Sequence, residues 1–506
     1  MDYFQEFYDN ATDVIKTSEE YYYAIFEEQY RTGHVNLLEI KISPYSISSI
    51  SDTRTAINEL KGKTIKQIYM VLHAYERYIK KYYPKENDDS RPRLGIVYHF
   101  IKKDDADNFS GKNCVFMDNR YYHRQDYNSM RQGAIIFIDA LSELFKEYPV
   151  FTKYVVGIDA ASVENATEPW VYAPAFRHAR RNENTIIYWN ERSTKVQNLG
   201  FTYHVGEDFR HIVSGLRHID EVLENYNYHT GDRLGHAIAL GIDIDLWANK
   251  CEMVSIPIME YMENLLWIWK YSENDCLIDS ANNIEYKIMD IASRIYYESI
   301  LGINVYTLWR VYKRKFENYS TNCHSIDKTS CSLADKNIVF WDEDKLLTTH
   351  FCPSYYERFK KPIVVSTKEN VHLYKQLQEM LVRKVEKMGV YIETNPSSNT
   401  AISDIAGIFS HPIIRLNNRG LDIPDKKDSC VLATINSDDP IVFSTNVENE
   451  MAYIYYALLN KGCKREEALE WIDKIRKHGI DSSFIKDKSD DFNKDYAEIK
   501  NIYNSL

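Results

Sequence analysis

The chain has 506 residues, of which 44% are hydrophobic and 27% charged, with a formal net charge of −12. That length exceeds one minimal domain and suits a large barrel with insertions, or two to three domains. An acidic chain repels polyanions on average, which argues against extended nucleic-acid binding, although plain solubility explains the charge as well and a local basic pocket could still hold a phosphate.

In chain order, residues 21–30 read as a helix and 37–43 (LLEIKIS) as a strand. Residues 65–81 read as an amphipathic helix, with Ile68, Val71, Leu72, Tyr75 and Ile79 at i, i+3, i+4 spacing. A strand at 94–101 (LGIVYHFI), a helix at 132–148, strands at 154–160 (YVVGIDA) and 200–204 (GFTYH), and a helix at 212–224 follow. A short strand at 232–235 precedes His236. The stretch from there to Val390 is far longer than one barrel loop requires. It is rich in helical signals, notably 256–271 and 284–316. A helix at 371–387, strands at 390–394 and 431–436, and a helix at 450–459 complete the pattern, with polar surface loops at 85–91, 102–119 and 481–495. No run of about 18 apolar residues would span a membrane. The opening Met1-Asp2-Tyr3 is acidic and leads into no signal-peptide core. The eight Cys form no C-x-x-C pair, so free thiols in a reducing cytoplasm are expected.

Strands alternating with helices imply a parallel sheet. Seven candidate strands with polar C-terminal ends suggest a (β/α)8 TIM-type barrel, a fold that puts its chemistry at those ends. The ends carry Asp159, His204, His236 and Asp438. The expected organisation is a first barrel part over residues 1–240, a mainly helical insertion over 241–388, and a last barrel part with C-terminal helices over 389–506. The insertion's aromatics fit core packing, or an oligomer interface.

Four motifs carry the chemistry. In His204-Val205-Gly206-Glu207, a strand-terminal His can ligate a metal while the Gly turns the backbone so that Glu207 faces the same cavity for proton transfer. A capped helix start is the plain alternative. Ser437-Asp438-Asp439-Pro440 places adjacent carboxylates at a strand end, where they repel unless a cation or shared proton holds them. A turn or N-cap reads equally well. Gly235-His236 ends a third strand, and Asn395-Pro396-Ser397-Ser398-Asn399 follows a fourth and by itself is a turn.

In this order the motifs resemble the adenosine and AMP deaminase family of metal-dependent hydrolases, from about Tyr21 to Phe484 with the insertion interrupting. The resemblance implies a zinc-dependent hydrolase that converts an adenosine-type substrate to its inosine form. It implies His204 and Asp438 as zinc ligands, Glu207 as the proton donor to ring N1, His236 as the group that orients and deprotonates the attacking water, and Asp439 as a hydrogen-bond partner of water and substrate. The Asn395–Asn399 element would shape the site floor. Asp159 would lie near the substrate. The stretches VVGIDAAS, TYHVGEDFRHIVSGLRHIDE and GDRLGHAIALGIDIDLW further resemble the large bacterial phage-defence adenosine deaminases, such as the RADAR deaminase subunit and CRISPR-associated adenosine deaminases. That implies large homo-oligomers and, in some systems, an ATPase partner. An inactive scaffold subunit of an assembly is the alternative, and the motifs do not separate adenosine, AMP and ATP.

One departure stands out. The family also uses an H-x-H pair on its first strand for two further zinc ligands, and none of the 15 His has His or Glu two positions later. The expectation is a barrel lacking its first strand in this chain, through truncation, loss or a replacement ligand set, and weak zinc binding by the isolated chain. Cys323, His324, Cys331, His350 and Cys352 cluster without a familiar metal spacing. His34 falls at the wrong end of its strand for the site.

Overall fold

The computed structural model describes residues 19–30, 34–45, 52–84, 91–104, 127–181, 186–190, 193–274, 281–296, 300–317, 340–350, 353–486 and 491–506, apart from 404, 406, 424–427 and 441. Two four-stranded parallel sheets lie at its centre. The first is Leu37–Ile42, Arg93–Lys102, Val155–Ser162 and Gly200–Phe201; the second is His204–Val205, Arg233–His236, Tyr391–Thr394 and Ala433–Ile435. They are joined by the chain itself. Thr202 N donates to Ile158 O at 3.0 Å and Gly235 N to Tyr203 O at 2.8 Å, so residues 200–205 form one strand position serving both sheets.

The resulting arc of parallel strands curls. Lys41 on the first strand reaches Glu393 on the next-to-last, with Nζ 2.7 Å from Oε2. Among the described residues, Leu37–Ile42 and Ala433–Ile435 pair on one side only. The helix Glu19–Tyr30 lies near this opening, where Gln29 Oε1 accepts from Ser437 Oγ at 3.2 Å.

Connecting helices cover the strands, as their apolar stripes require. Thr53–Tyr82 starts at Asp52, whose carboxylate accepts the N–H groups of Arg54 and Thr55, and it buries Ile68, Val71, Leu72, Tyr75 and Ile79. Ile212–Asn225 buries Leu216, Ile219 and Val222. Val371–Met388 packs beside it, and Gln378 Nε2 donates to the carbonyls of Ala239 and Ile242 at 2.8 and 3.0 Å.

Three sequence readings change. Residues 256–271 are not one helix. Met253–Pro257 pairs antiparallel with Pro362–Ser366, and the helix starts at Ile258, because Pro257 restricts the residue before it to extended backbone. This ribbon pins together the two ends of a helical stretch. Residues 284–316 form two helices, Ala281–Tyr296 and Val305–Arg314, the second capped by Asn304, which accepts Thr307 N–H at 2.8 Å. Finally, residues 481–495 are not simply a surface loop. Phe484 and Ile485 are buried against Val97 and Val156 at the N-terminal ends of the strands. Gly200 makes room for this plug, since a Cβ there would sit 2.2 Å from the Phe484 ring.

The main core runs continuously from the strand arc into the inserted helices. No helix among the described residues is long and apolar enough to cross a membrane. Cys430 and Cys463 are free thiols. Cys323, His324, Cys331 and Cys352 lie outside the described residues, while His350 is buried against the Phe359 ring.

Candidate active site

The site is built at the C-terminal ends of the strands, opposite the plug. His204 and His236 end neighbouring strand positions, and their ring centroids are 4.8 Å apart. One donor atom each from His204, His236 and Asp438 lies within 4.8 Å of the others. That spacing and that chemistry, two imidazoles and one carboxylate, suit a divalent transition metal, with room for further ligands. The structure therefore brings together His204, His236, Asp438 and Glu207.

Backbone conformation at these positions is unusual. His236 has φ 63° and Asp438 φ 55°, both in the left-handed region that costs side-chain-bearing residues free energy. Such positions persist only where surrounding structure dictates them, and here two of them carry candidate ligands. Gly206, at φ 69°, makes the turn that swings Glu207 back over the strand end, and a Cβ there would meet Ile219 at 2.5 Å.

Glu207 Oε1 lies 2.9 Å from His236 Nδ1. Asn399 Nδ2 sits 3.1 Å from the same carboxylate oxygen and 2.7 Å from the same ring nitrogen. One ring nitrogen cannot donate to Glu207 and accept from Asn399 at once, so a proton moving onto Nδ1 exchanges one partner for the other. Burial pushes the His236 pKa down, but the Glu207 carboxylate beside it, with Asp438 beyond, outweighs this and holds it above its ordinary value. His411 is also buried behind this cluster, 3.2 Å from Asn399 Oδ1. Desolvation, with His236 nearby, pushes its pKa down to about 3, so the ring is neutral.

Asp159 is fully buried. Its Oδ2 lies 3.0 Å from His204 Nδ1 and 3.2 Å from Lys41 Nζ. Burial raises its pKa, yet His204 and Lys41 together hold the carboxyl well below the usual range. An ionised Asp159 keeps the His204 proton on Nδ1 and leaves Nε2 as the ligating nitrogen, the usual support for a metal-binding His. Asp439 stands outside the donor cluster. Its Oδ1 accepts Val442 N–H at 3.1 Å, so part of this carboxylate does serve as a turn cap.

Several contributors escaped the sequence reading. Glu164 is buried, and its two oxygens accept the N–H groups of Gly206, Glu207 and Asp208 at 2.9, 2.9 and 3.2 Å. It thereby fixes the turn that carries Glu207. Lys102 is buried, donates to the His204 carbonyl and stands 4.4 Å over the Tyr203 ring. Burial pushes its pKa down against the pull of Glu164 and Asp159. Lys41 has a signal in the sequence, since it interrupts an apolar strand, whereas Lys102 reads as the start of a polar loop and is instead the buried end of the strand Arg93–Lys102. Glu164 has no such signal. His34 is exposed and pairs with Glu448 at 2.8 Å.

No family model matches the chain. A stretch of 105 residues, 21% of the chain, is 30% identical to an adenine deaminase of Rhizobium meliloti (strain 1021), and a stretch of 109 residues is 29% identical to an adenine deaminase of Rhizobium etli. The chain is thus matched to 27% and 29% of the lengths of these curated relatives. Among solved structures, the adenine deaminase of Arthrobacter aurescens aligns with 99% of this chain and 84% of its own, at 11% identity and a TM-score of 0.41. By sequence, the chain is therefore similar over about a fifth of its length to enzymes named as purine deaminases.

Proposed function

We propose that the protein is a metal-dependent hydrolase that deaminates a 6-aminopurine, with adenosine or an adenine nucleotide as the substrate and Zn2+ as the metal. The observation that carries this is one cluster. His204, His236 and Asp438 offer donor atoms within 4.8 Å of one another, and the Glu207 carboxylate stands 2.9 Å from His236. The partial similarity to adenine deaminases supports the reaction class. The curled parallel arc supports a (β/α)8-type barrel whose strand ends carry the site, with the ribbon-bound helices as its insertion.

Zn2+, which His204 and Asp438 would hold with His236 beside it as the base, would supply the Lewis acidity that makes water a nucleophile near neutral pH. The rest falls to the chain. Glu207 delivers a proton to ring N1, drawing electron density away from C6. His236 takes a proton from the attacking water as the C6–O bond forms, helped by the carboxylate beside it. His236 then returns its proton to the amino group as the C6–N bond breaks, ammonia leaves, the C6 hydroxyl gives its proton back to Glu207, and the 6-oxo purine with a protonated N1 remains. Asp439 orients water and substrate. His411, held neutral, adds no cation beside His236. The phage-defence deaminases that the motifs resemble extend this reading to a homo-oligomer working in the cytoplasm, in some systems beside an ATPase.

The test is ammonia release from adenosine, AMP, ATP, adenine and guanine, assayed side by side at saturating Zn2+. Turnover of one adenine-bearing substrate, lost in Glu207→Ala with zinc binding retained, is the expected result. Release from none of them, or turnover unchanged by Glu207→Ala, overturns the reading in favour of a scaffold role.

A further inference from the structure

Glu207 is tied to the inserted helices by a continuous row of buried charges. Arg217, on the helix Ile212–Asn225, is fully buried. Its Nη1 lies 2.6 Å from Glu221 Oε1 and 3.1 Å from Glu263 Oε2, and its Nε donates to Asn264 Oδ1 at 2.9 Å. Glu263 and Asn264 belong to Ile258–Asn274, the first helix after the ribbon. Lys315, one residue beyond the helix Val305–Arg314, closes the far side, 2.5 Å from Glu263 Oε1 and 3.2 Å from Glu168 Oε2.

The near side leads to the site. Arg217 Nη2 is 3.2 Å from His218 Nε2. Arg can only donate, so Nε2 accepts and the His218 proton sits on Nδ1. That Nδ1 lies 3.1 Å from Glu164 Oε1. Glu164 is the carboxylate that holds the three N–H groups of the Gly206–Asp208 turn. Glu263, Arg217, His218 and Glu164 are all buried.

Stability does not account for the arrangement. Buried ion pairs gain little over apolar packing of the same volume, because desolvation offsets their attraction. They do specify one geometry. The row runs from the inserted helices, through Arg217 and His218 of the strand-covering helix and then Glu164, to the backbone of the residue assigned the proton transfer.

We propose that the inserted segment is a positioning element for the site: Glu263 and Lys315 hold Arg217, Arg217 fixes the His218 tautomer, and His218 orients Glu164, which sets the Gly206–Asp208 turn. Glu263, Lys315 and Arg217 are positioning residues, and the catalytic meaning of the turn they set rests on the reading of Glu207 above.

Amide hydrogen exchange on the full chain tests this without substrate or metal. Glu164→Gln marks the effect of weakening the turn's acceptor directly. Glu263→Gln and Lys315→Met act on the far end of the row. The expected result is exchange of the 206–208 amides at least about tenfold faster in all three variants, the size of one lost charge-assisted hydrogen bond, with the Tyr391–Thr394 strand still protected. Lys315→Arg restores protection of the turn. Where turnover is measurable, kcat falls in the two distant variants with KM nearly unchanged.

Unchanged protection of the turn in Glu263→Gln and Lys315→Met overturns the proposal, as does a turn that stays protected in Glu164→Gln. If Lys315→Met loosens the whole core, failure of Lys315→Arg to restore the turn also overturns it. A protein with no deaminase activity whose turn still responds to Glu263→Gln would refute the functional reading and leave the positioning row standing.

Discussion

The two ends of the same strands are built on different rules. At the N-terminal end buried charges face their opposites. Arg233 lies 2.6 Å from both Glu39 and Glu393, its guanidinium stacks 3.6 Å over the Phe484 ring, and Phe484 N–H donates to Glu39. At the C-terminal end, like-natured groups crowd together. Two imidazoles and two carboxylates converge, with two of the four residues in left-handed backbone. The first arrangement is stable as it stands. The second is the arrangement that the proposed cation would balance.

The largest test of that division is Glu207→Gln. The amide keeps the size and one hydrogen-bond acceptor but cannot carry the proton, so turnover by the Zn2+-loaded protein should fall about 10²–10⁴-fold while the melting temperature stays put. A fall in both would show that the C-terminal end is structural after all. Arg233→Met probes the opposite end. It leaves Glu39 and Glu393 buried with Lys41 as the remaining cation, and should cost about 3–5 kcal/mol in urea unfolding. A loss of turnover without loss of stability there would erase the contrast.

The pH dependence should separate the ends too. Glu393 is pushed up by burial and pulled down further by Lys41 and Arg233, to about 2. Its folded pKa lies below its unfolded one, so its contribution is complete above about 4.5 and fades only as pH falls toward 2. His211 lies near the C-terminal end, capping Ile212–Asn225 with Nδ1 on Val213 N–H at 3.1 Å and its ring edge-on to Trp247 and Tyr374. Burial pushes its pKa down to about 4. Here the unfolded chain takes the proton first, so stability is lost as pH falls from about 6.5 toward 4, by about 3 kcal/mol at most. Unfolding midpoints followed across that window should slope downward, and His211→Asn, which keeps a cap acceptor, should flatten the slope. An unchanged slope in His211→Asn would assign acid sensitivity elsewhere.

Much of this contrast is legible in the sequence, and unevenly so. The seven strand positions read directly, because buried parallel strands are runs of β-branched and apolar residues bounded by polar ends. The ligand motifs read because each stands at a strand end. What pairs with what does not read. Lys41 shows as a charge inside LLEIKIS, but its partner Glu393 lies 352 positions away. Glu164 and Arg217 look like ordinary charges of a loop and a helix, since their meaning comes from packing between elements distant in sequence. Phe484 and Ile485 sit in a polar stretch, which hides their role as a plug. Asp159 was legible as a site residue but not by role, because a strand-end carboxylate looks the same whether it faces a substrate or the back of a histidine.

Asp159 therefore gives the finest test, because it joins the two ends. Its carboxylate takes His204 from above and Lys41 from the ion layer below. Asp159→Asn keeps the shape and one acceptor but removes the charge. If Asp159 serves the site, His204 loses the partner that fixes its proton on Nδ1, and Zn2+ affinity should weaken about 10- to 100-fold, with substrate KM little changed. If it serves a substrate, KM rises while Zn2+ affinity holds. If it serves the ion layer, Lys41 keeps Glu393 as its partner, and the main effect is on unfolding. A Zn2+ titration of this one variant therefore shows to which end of the strands the buried carboxylate belongs.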